Sequence, residues 1–280
     1  MPDRRRDFHF IFGLREQTKP FHLLHYLCLA SCAAVNAPDA IHFHYRHEPF
    51  GPLWERIKPH LRLHQVGGDV AGYAPERYRD SAEGRMIEKL KLGYAHESDF
   101  LRLDILLEHG GVYADMDSLF VRRYPDAWFG HEFAIGEEHA PLMPGRTLQP
   151  SLCNAVLFSQ PGARFARQWR KRMSDAFDGR WSEHSCLEAA RIWRQMPNAV
   201  HVLPTDYFYR YGSTVAGLQT LLEQSDVDHA DLYSIHLWAH LWWDAARTDF
   251  SQVHADQINE AWIRERDCTL ARLARPYLDT

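Results

Sequence analysis

The most constraining feature of this sequence is the join within residues 98–117. A helical run ends at two consecutive glycines, Gly110 and Gly111, and a short stretch, Val112-Tyr113-Ala114, then delivers Asp115-Met116-Asp117. Glycine readily adopts the left-handed conformation that ends helices, so the pair is expected to fold the helix back onto the strand that follows. Leu101, Ile105 and Glu108 are expected to share one stripe of that helix. A helix doubled back on a strand is a unit of layered α/β architecture.

The alternation extends through the first half. Strands are expected at 8–12, ended by Gly13, at 41–45 and at 61–66, ended by Gly67 and Gly68. Helices are expected at 21–35, begun by Pro20 and closed by Asn36 and Pro38, at 53–59 and across 83–109. Strands separated by helical connections predict a largely parallel sheet. Further on, strands are expected at 133–136, 153–158 and 233–237, and helices at 163–177, 187–196 and 254–273, with loop signals at Pro141, Pro144, Gly145 and Pro150. No internal repeat or linker composition interrupts the chain, so one domain over 1–280 with a mobile C-terminal portion is expected.

Composition excludes several classes. A formal charge of −5 argues against a general nucleic-acid binder. The five cysteines have no metal-ligand spacing, and their odd number suits a reducing compartment; Cys28 and Cys32 read as small core residues of a helix. Arg4, Arg5 and Arg6 are not followed by a clean apolar core, and the apolar stretch 21–35 is too short to span a bilayer. The expected setting is cytoplasmic, without a transmembrane segment, and with peripheral membrane association through an acceptor lipid left open.

The chemistry concentrates at Asp115 and Asp117. Residues i and i+2 of a strand point to one face, so both carboxylates are expected to converge on one hard cation, Mn²⁺ or Mg²⁺, which takes oxygen ligands. Asp99 and Arg102 lie three apart on the preceding helix and share a face, placing a carboxylate and a phosphate-binding guanidinium beside that cation. The arginine-rich run 164–172 reads as a solvated helix face.

At these residues the chain resembles the sugar-binding-region, DXD-containing glycosyltransferases, which include α-1,4-galactosyltransferases, initiating α-1,6-mannosyltransferases and the catalytic domains of glucosylating toxins. The resemblance rests on Ser98-Asp99-Phe100-Leu101-Arg102 and on Gly110 through Asp117. It implies a GT-A-type, Rossmann-like fold with a donor-binding half to about residue 125 and an acceptor and closing half beyond it. Weaker likenesses imply that Phe12 stacks on the nucleobase and that Asn154 lies near the donor sugar, and that His236 joins Asp115 and Asp117 as a metal ligand. His240 is an alternative to His236, because relatives' Ser-Trp after the histidine is replaced here by His240-Leu241-Trp242-Trp243. Trp242 and Trp243 read as packing or as an acceptor platform. His184 and Ser185 stand where some relatives have glycine-proline, so acceptor choice does not transfer.

The implied reaction moves a hexose from a nucleotide sugar, UDP-hexose first and GDP-mannose second, to a hydroxyl on a carbohydrate, lipid-linked or protein acceptor. Retention is implied, with front-face attack and the leaving phosphate taking the proton. Asp99, Arg102 and Asp115 are the implied catalytic residues, and the same three with Phe12 and Asn154 bind the donor. Two rivals are a non-catalytic sugar- or nucleotide-binding protein on the same fold and a DxD phosphatase. The second needs a downstream lysine with an acidic metal pair, and only Lys171 follows Asp117.

Overall fold

In the computed structural model, which describes residues 5–138 and 151–280, the first half is wound as its alternating pattern requires. Arg4 and the loop signals at Pro141, Pro144, Gly145 and Pro150 lie outside the described residues. β1 (Asp7–Ile11) leads through α1 (Leu23–Asn36) to β2 (Ala40–Tyr45), and α2 (Pro52–Ile57) leads to β3 (Arg62–Gln65). α3 (Ala82–Lys89) and α4 (Gly93–His109) then carry the chain back to β4 (Gly111–Ala114), which pairs with the free side of β1. β5 (Ser118–Phe120) leaves the sheet, and β6 (Phe133–Glu138), β7 (Ser151–Ser159), α5 (Arg164–Ala176), α6 (Glu188–Gln195) and β8 (His201–Leu203) complete it. α7 (Val215–Leu222), β9 (Ser234–His236), α8 (Glu260–Glu265) and α9 (Thr269–Ala274) follow.

Among the described residues seven strands form the central sheet in the order β3-β2-β1-β4-β7-β6-β8, with β7 running against the other six. β5 and β9 form a separate antiparallel pair. Phe8 and Phe10 bury one face of β1 beneath α1, and Ile11 buries the other face with α4 and α5. This is a mixed α/β fold with a mostly parallel central sheet. Because β2 and β4 flank β1 on opposite sides, the strand order reverses between β1 and β4. In open α/β sheets ligands bind at such a point, beyond the carboxyl ends of the strands. Asp115 follows β4 there.

The reversal at α4 needs both glycines. Gly110 and Gly111 have φ of 70° and 88°. A Cβ on Gly110 would lie 2.7 Å from Pro161 Cδ, and one on Gly111 would lie 2.6 Å from the Asp7 carbonyl. The buried face of α4 differs from the expected stripe: Phe100, Leu103 and Leu106 are fully buried, while Glu108 is exposed. The cause is that α4 packs on α5 as well as on the sheet. The expected helix over 254–273 is instead two short helices. Asn259 caps α8 by accepting from Trp262 N–H, and Cys268 is extended, with Thr269 Oγ1 tied to the Thr220 and Gln224 carbonyls. The arginines of α5 are not merely solvated: Arg170 pairs with Asp104 at 2.7 Å and Arg172 with Glu188 at 2.6 Å, clamping α5 to α4 and α6. β5, β8 and α7 carry too little periodicity to be expected from sequence.

At the far edge of the sheet, histidines gather on one face. His9 Nδ1 lies 3.1 Å from His44 Nε2, and His42 Nδ1 lies 2.8 Å from His64 Nε2. Burial, reinforced by the neighbouring imidazoles, lowers His9 to about 2 and His44 to about 3. A histidine held neutral in the fold takes up its proton only on unfolding, so its stabilisation is full above pH 6.5 and is lost as pH falls from there towards 3. Each such residue is expected to contribute a slope of about 1.4 kcal/mol per pH unit across that window. Urea unfolding at a series of pH values checks this, and His9→Phe should flatten the slope.

Candidate functional site

β4 does not end at Ala114 electrically: the Asp115 amide still donates to the Ala155 carbonyl of β7 at 2.9 Å. The chain then turns, with Ser118 N–H on the Asp115 carbonyl at 3.1 Å. The two aspartates therefore converge through this turn and not through strand alternation, which corrects the expected geometry. α1 supports the turn from below. His25 Nδ1 lies 3.1 Å from the Met116 carbonyl, and Cys28 Sγ donates to the Asp115 carbonyl at 3.6 Å.

The turn feeds β5, whose Ser118 pairs with His236 of β9. This register sets His236 Nε2 3.1 Å from Asp117 Oδ1 and 3.7 Å from Asp115 Oδ2. One ligand atom from each of Asp115, Asp117 and His236 lies within 4.8 Å of the other two. Trp238 then adopts φ 52°, a left-handed conformation unusual outside glycine. That turn aims Ala239 N–H at Asp117 Oδ2, 2.8 Å away, while Leu237 N–H donates to the Asp117 carbonyl. Burial works against charge on Asp117, yet His236 and Ala239 N–H hold its carboxyl below the usual range. Burial raises Asp115, with Asp117 adding to the rise and Arg102 opposing it. Burial also opposes a charged His236, but Asp117 outweighs it and raises the ring. His236 Nδ1 is buried and has no hydrogen-bond partner among the described residues.

Behind the aspartates sits Arg102, 4% exposed. Its Nη2 lies 3.0 Å from Asp99 Oδ1 and its Nη1 3.3 Å from Asp115 Oδ1; Nη1 also donates to the Asn154 carbonyl at 2.8 Å and Nε to the Ser98 carbonyl at 3.2 Å. Burial pushes the guanidinium down, and Asp115, Tyr113 and Asp99 more than reverse it. Tyr113 lies with its ring under the guanidinium and donates from its hydroxyl to Asp115 Oδ1 at 2.6 Å. Asp99 is equally enclosed, accepting from Asn154 Nδ2 at 2.6 Å and from His184 Nε2 at 2.9 Å. Asn154 lies where the β6–β7 register shifts, Ile135 pairing with Leu157 but Gly136 with Cys153. Such irregularities re-aim side chains next to functional sites.

The structure thus brings Asp99, Arg102, Asp115, Asp117, Asn154 and His236 into one contact network. Phe12 stands apart from it, half-buried against Phe21 and His25 at the end of β1. His240 stacks on Trp181 with ring centroids 4.8 Å apart, and burial lowers it to about 4. Trp242 is fully buried, whereas Trp243 is half-buried and stacks on His25. Sequence reasoning gave no role to Tyr113, His25 or His184. Tyr113 was within reach, two residues before Asp115 on a strand and therefore on its face.

Two carboxylates and an imidazole form a donor set suited to Mn²⁺, while Mg²⁺ prefers oxygen throughout. The unpartnered buried nitrogen belongs to the same ring, so the site is polar and incompletely satisfied. Residues 73–134 match the family described as glycosyltransferase sugar-binding region containing DXD motif. Glucan organizing enzyme 1 of Cryptococcus neoformans var. grubii is 27% identical over 96% of this chain and 69% of its own length. Among solved structures, the galactosyltransferase LgtC in complex with donor and acceptor sugar analogs covers 91% of this chain and 98% of its own at 13% identity and TM-score 0.48. The apo-form glycosyltransferase GlyE of Streptococcus pneumoniae TIGR4 covers 98% of this chain and 63% of its own at 12% identity and TM-score 0.47. Likenesses at these scores add nothing to the sheet order given above. The segment that holds Asp99, Arg102, Asp115 and Asp117 is therefore similar to the DXD-containing sugar-binding region of glycosyltransferases.

Proposed function

We propose that this enzyme is a metal-dependent, retaining hexosyltransferase acting on a nucleotide-sugar donor, with UDP-hexose ahead of GDP-mannose. The observation that carries the proposal is the convergence of Asp115, Asp117 and His236 at the C-terminal end of β4. These three would hold Mn²⁺, or less naturally Mg²⁺. Bound there, the cation supplies Lewis-acid stabilisation to the departing diphosphate. A GT-A-type arrangement is supported by the position of that cluster at the switch point of the sheet.

The roles of the chain's own residues follow from their contacts. Arg102 has an acceptor against each nitrogen, so it serves mainly as a positioning residue that fixes Asp115 and Asp99. Asp99 and Asn154 are the groups proposed to orient the donor sugar, and Phe12, at the end of β1, is the residue proposed to stack on the base. In the reaction the acceptor oxygen bonds to the anomeric carbon, the bond from that carbon to the diphosphate breaks, and the acceptor proton leaves with the diphosphate. Trp181 on His240 and Trp243 on His25 offer half-buried aromatic faces suited to a carbohydrate, lipid-linked or protein-borne acceptor. One domain with donor and acceptor halves meeting at residue 125 or so is part of the same proposal. Among the described residues no helix is long and apolar enough to cross a membrane. The five free, buried cysteines support a reducing, cytoplasmic setting.

Three outcomes are expected. EDTA should abolish donor hydrolysis and transfer, with Mn²⁺ restoring both better than Ca²⁺, and Asp117→Ala should lose activity while keeping its far-ultraviolet circular dichroism. Full activity of Asp117→Ala in metal-free buffer would contradict the proposal. Because ligands bind metal deprotonated and Asp117 raises His236 above the ordinary imidazole value, calorimetric Mn²⁺ affinity should climb as pH rises through and beyond the ordinary histidine range. In His236→Ala that climb should shrink. Arg102→Met should destabilise the fold by about 3–5 kcal/mol, the cost of leaving a buried carboxylate unpaired. Arg102→Lys should fold but transfer poorly, since an ammonium cannot reproduce the guanidinium fork.

A further inference from the structure

The turn that precedes α6, Glu183–Leu187, is a single π-helical turn, a form that clusters at functional sites. It sends two side chains towards the donor-side residues. His184 Nε2 lies 2.9 Å from Asp99 Oδ2, and Cys186 Sγ lies 3.7 Å from Asn154 Oδ1. Asn154 Nδ2 in turn donates to Asp99 Oδ1. An ionised carboxylate only accepts, so His184 must carry its proton on Nε2. His184 Nδ1 is buried without a partner among the described residues. The ring is fully buried, stacked on Phe100 at 5.6 Å and edge-on to Phe177 at 4.9 Å. Among the described residues the one polar contact of the ring is therefore to Asp99.

We infer that His184 is a positioning residue for glycosyl transfer: it locks the rotation of the Asp99 carboxylate from the opposite side to Arg102, and so sets the orientation of the donor sugar. The inference rests on the proposed function, in which Asp99 faces that sugar. Without His184, Asp99 keeps Asn154 and Arg102 on Oδ1 but nothing on Oδ2, and the carboxylate is free to swing. The diphosphate end, held near Asp115, Asp117 and His236, does not depend on this contact. The consequences should separate cleanly: sugar orientation suffers and nucleotide binding does not.

The test uses His184→Phe and His184→Leu, which fill the site without a hydrogen bond, and His184→Gln, which retains an N–H donor. Wild type is first assayed for Mn²⁺-dependent hydrolysis of UDP-glucose, UDP-galactose and GDP-mannose. The kcat of the donor it accepts should fall on the order of 10- to 100-fold in the Phe and Leu variants, as small misplacements of reacting groups do. The Kd for the matching nucleoside diphosphate with Mn²⁺ should stay at the wild-type value, and Gln should recover part of the rate. The acid limb of the pH–rate profile should move upward in the Phe and Leu variants. Burial opposes the charge on Asp99, and Arg102, His184 and His96 oppose burial, so losing His184 makes the carboxylate easier to protonate. A purely structural role would leave that limb in place. Wild-type kcat and pH profile in a folded Phe or Leu variant would overturn the inference while leaving the proposed function standing. Neither variant folding, with Gln as slow as wild type without metal and unable to bind the diphosphate, would also overturn it. A wild type that hydrolyses none of the three donors would instead contradict the proposed function and the inference with it.

Discussion

Arg102 is 4% exposed, and a guanidinium taken that far from water must be neutralised and hydrogen-bonded. Removing one ion from water costs several kcal/mol even after the protein relaxes, and the Coulombic gain offsets this only where geometry is good. Here the geometry draws on three elements at once. Asp99 comes from the same helix, Asp115 from the turn after β4, and the Asn154 carbonyl from the irregular stretch of β7. The guanidinium is thus what locks α4, the aspartate turn and β7 into one register, and Tyr113 closes it from the remaining side.

From that anchor the geometry of the Asp115, Asp117 and His236 cluster follows. Asp115 is fixed by Arg102 and Tyr113 on Oδ1, leaving Oδ2 towards His236. Asp117 is fixed from the opposite direction, by Ala239 N–H on Oδ2, leaving Oδ1 towards the same ring. Each carboxylate spends one oxygen on the protein and presents the other. The strain at Trp238, held at positive φ, is what turns Ala239 N–H into place. Strain of this kind persists only where surrounding contacts over-determine it, and Trp238 is held by its Nε1 donating to the Tyr211 carbonyl at 2.8 Å.

How much of this was legible depends on the range of the signal. The strands of the first half and α1 and α5 follow from local periodicity and from glycine and proline punctuation, so they could be read within a residue or two, whereas the helical stretch expected across 83–109 is divided into α3 and α4. Asp115 and Asp117 were legible because the glycines, strand and acidic pair are contiguous. Their convergence by a turn was not, because nothing local distinguishes Asp115-Met116-Asp117 as strand from the same residues as turn; the pairing of β5 with β9, 110 and more residues along the chain, decides it. The burial of Asp99 and Arg102 was equally hidden, since an i, i+3 pair looks the same on a solvated helix. His184 stood out only as a departure from relatives, and its contact with Asp99 was hidden because that partner lies 85 residues earlier in sequence. The long C-terminal helix was misread because its periodicity continues across Cys268, where contacts to α7 impose an extended residue.

The central claim is that Asp115, Asp117 and His236 hold one divalent cation. Pulsed electron paramagnetic resonance on the protein with Mn²⁺ and a nucleoside diphosphate tests it most directly, because a directly bound imidazole nitrogen modulates the electron-spin echo. The account predicts nitrogen modulation in the wild type that disappears in His236→Ala and persists in His240→Ala. Modulation that survives His236→Ala, or none in the wild type while Mn²⁺ is bound and phosphorus coupling is seen, would contradict it.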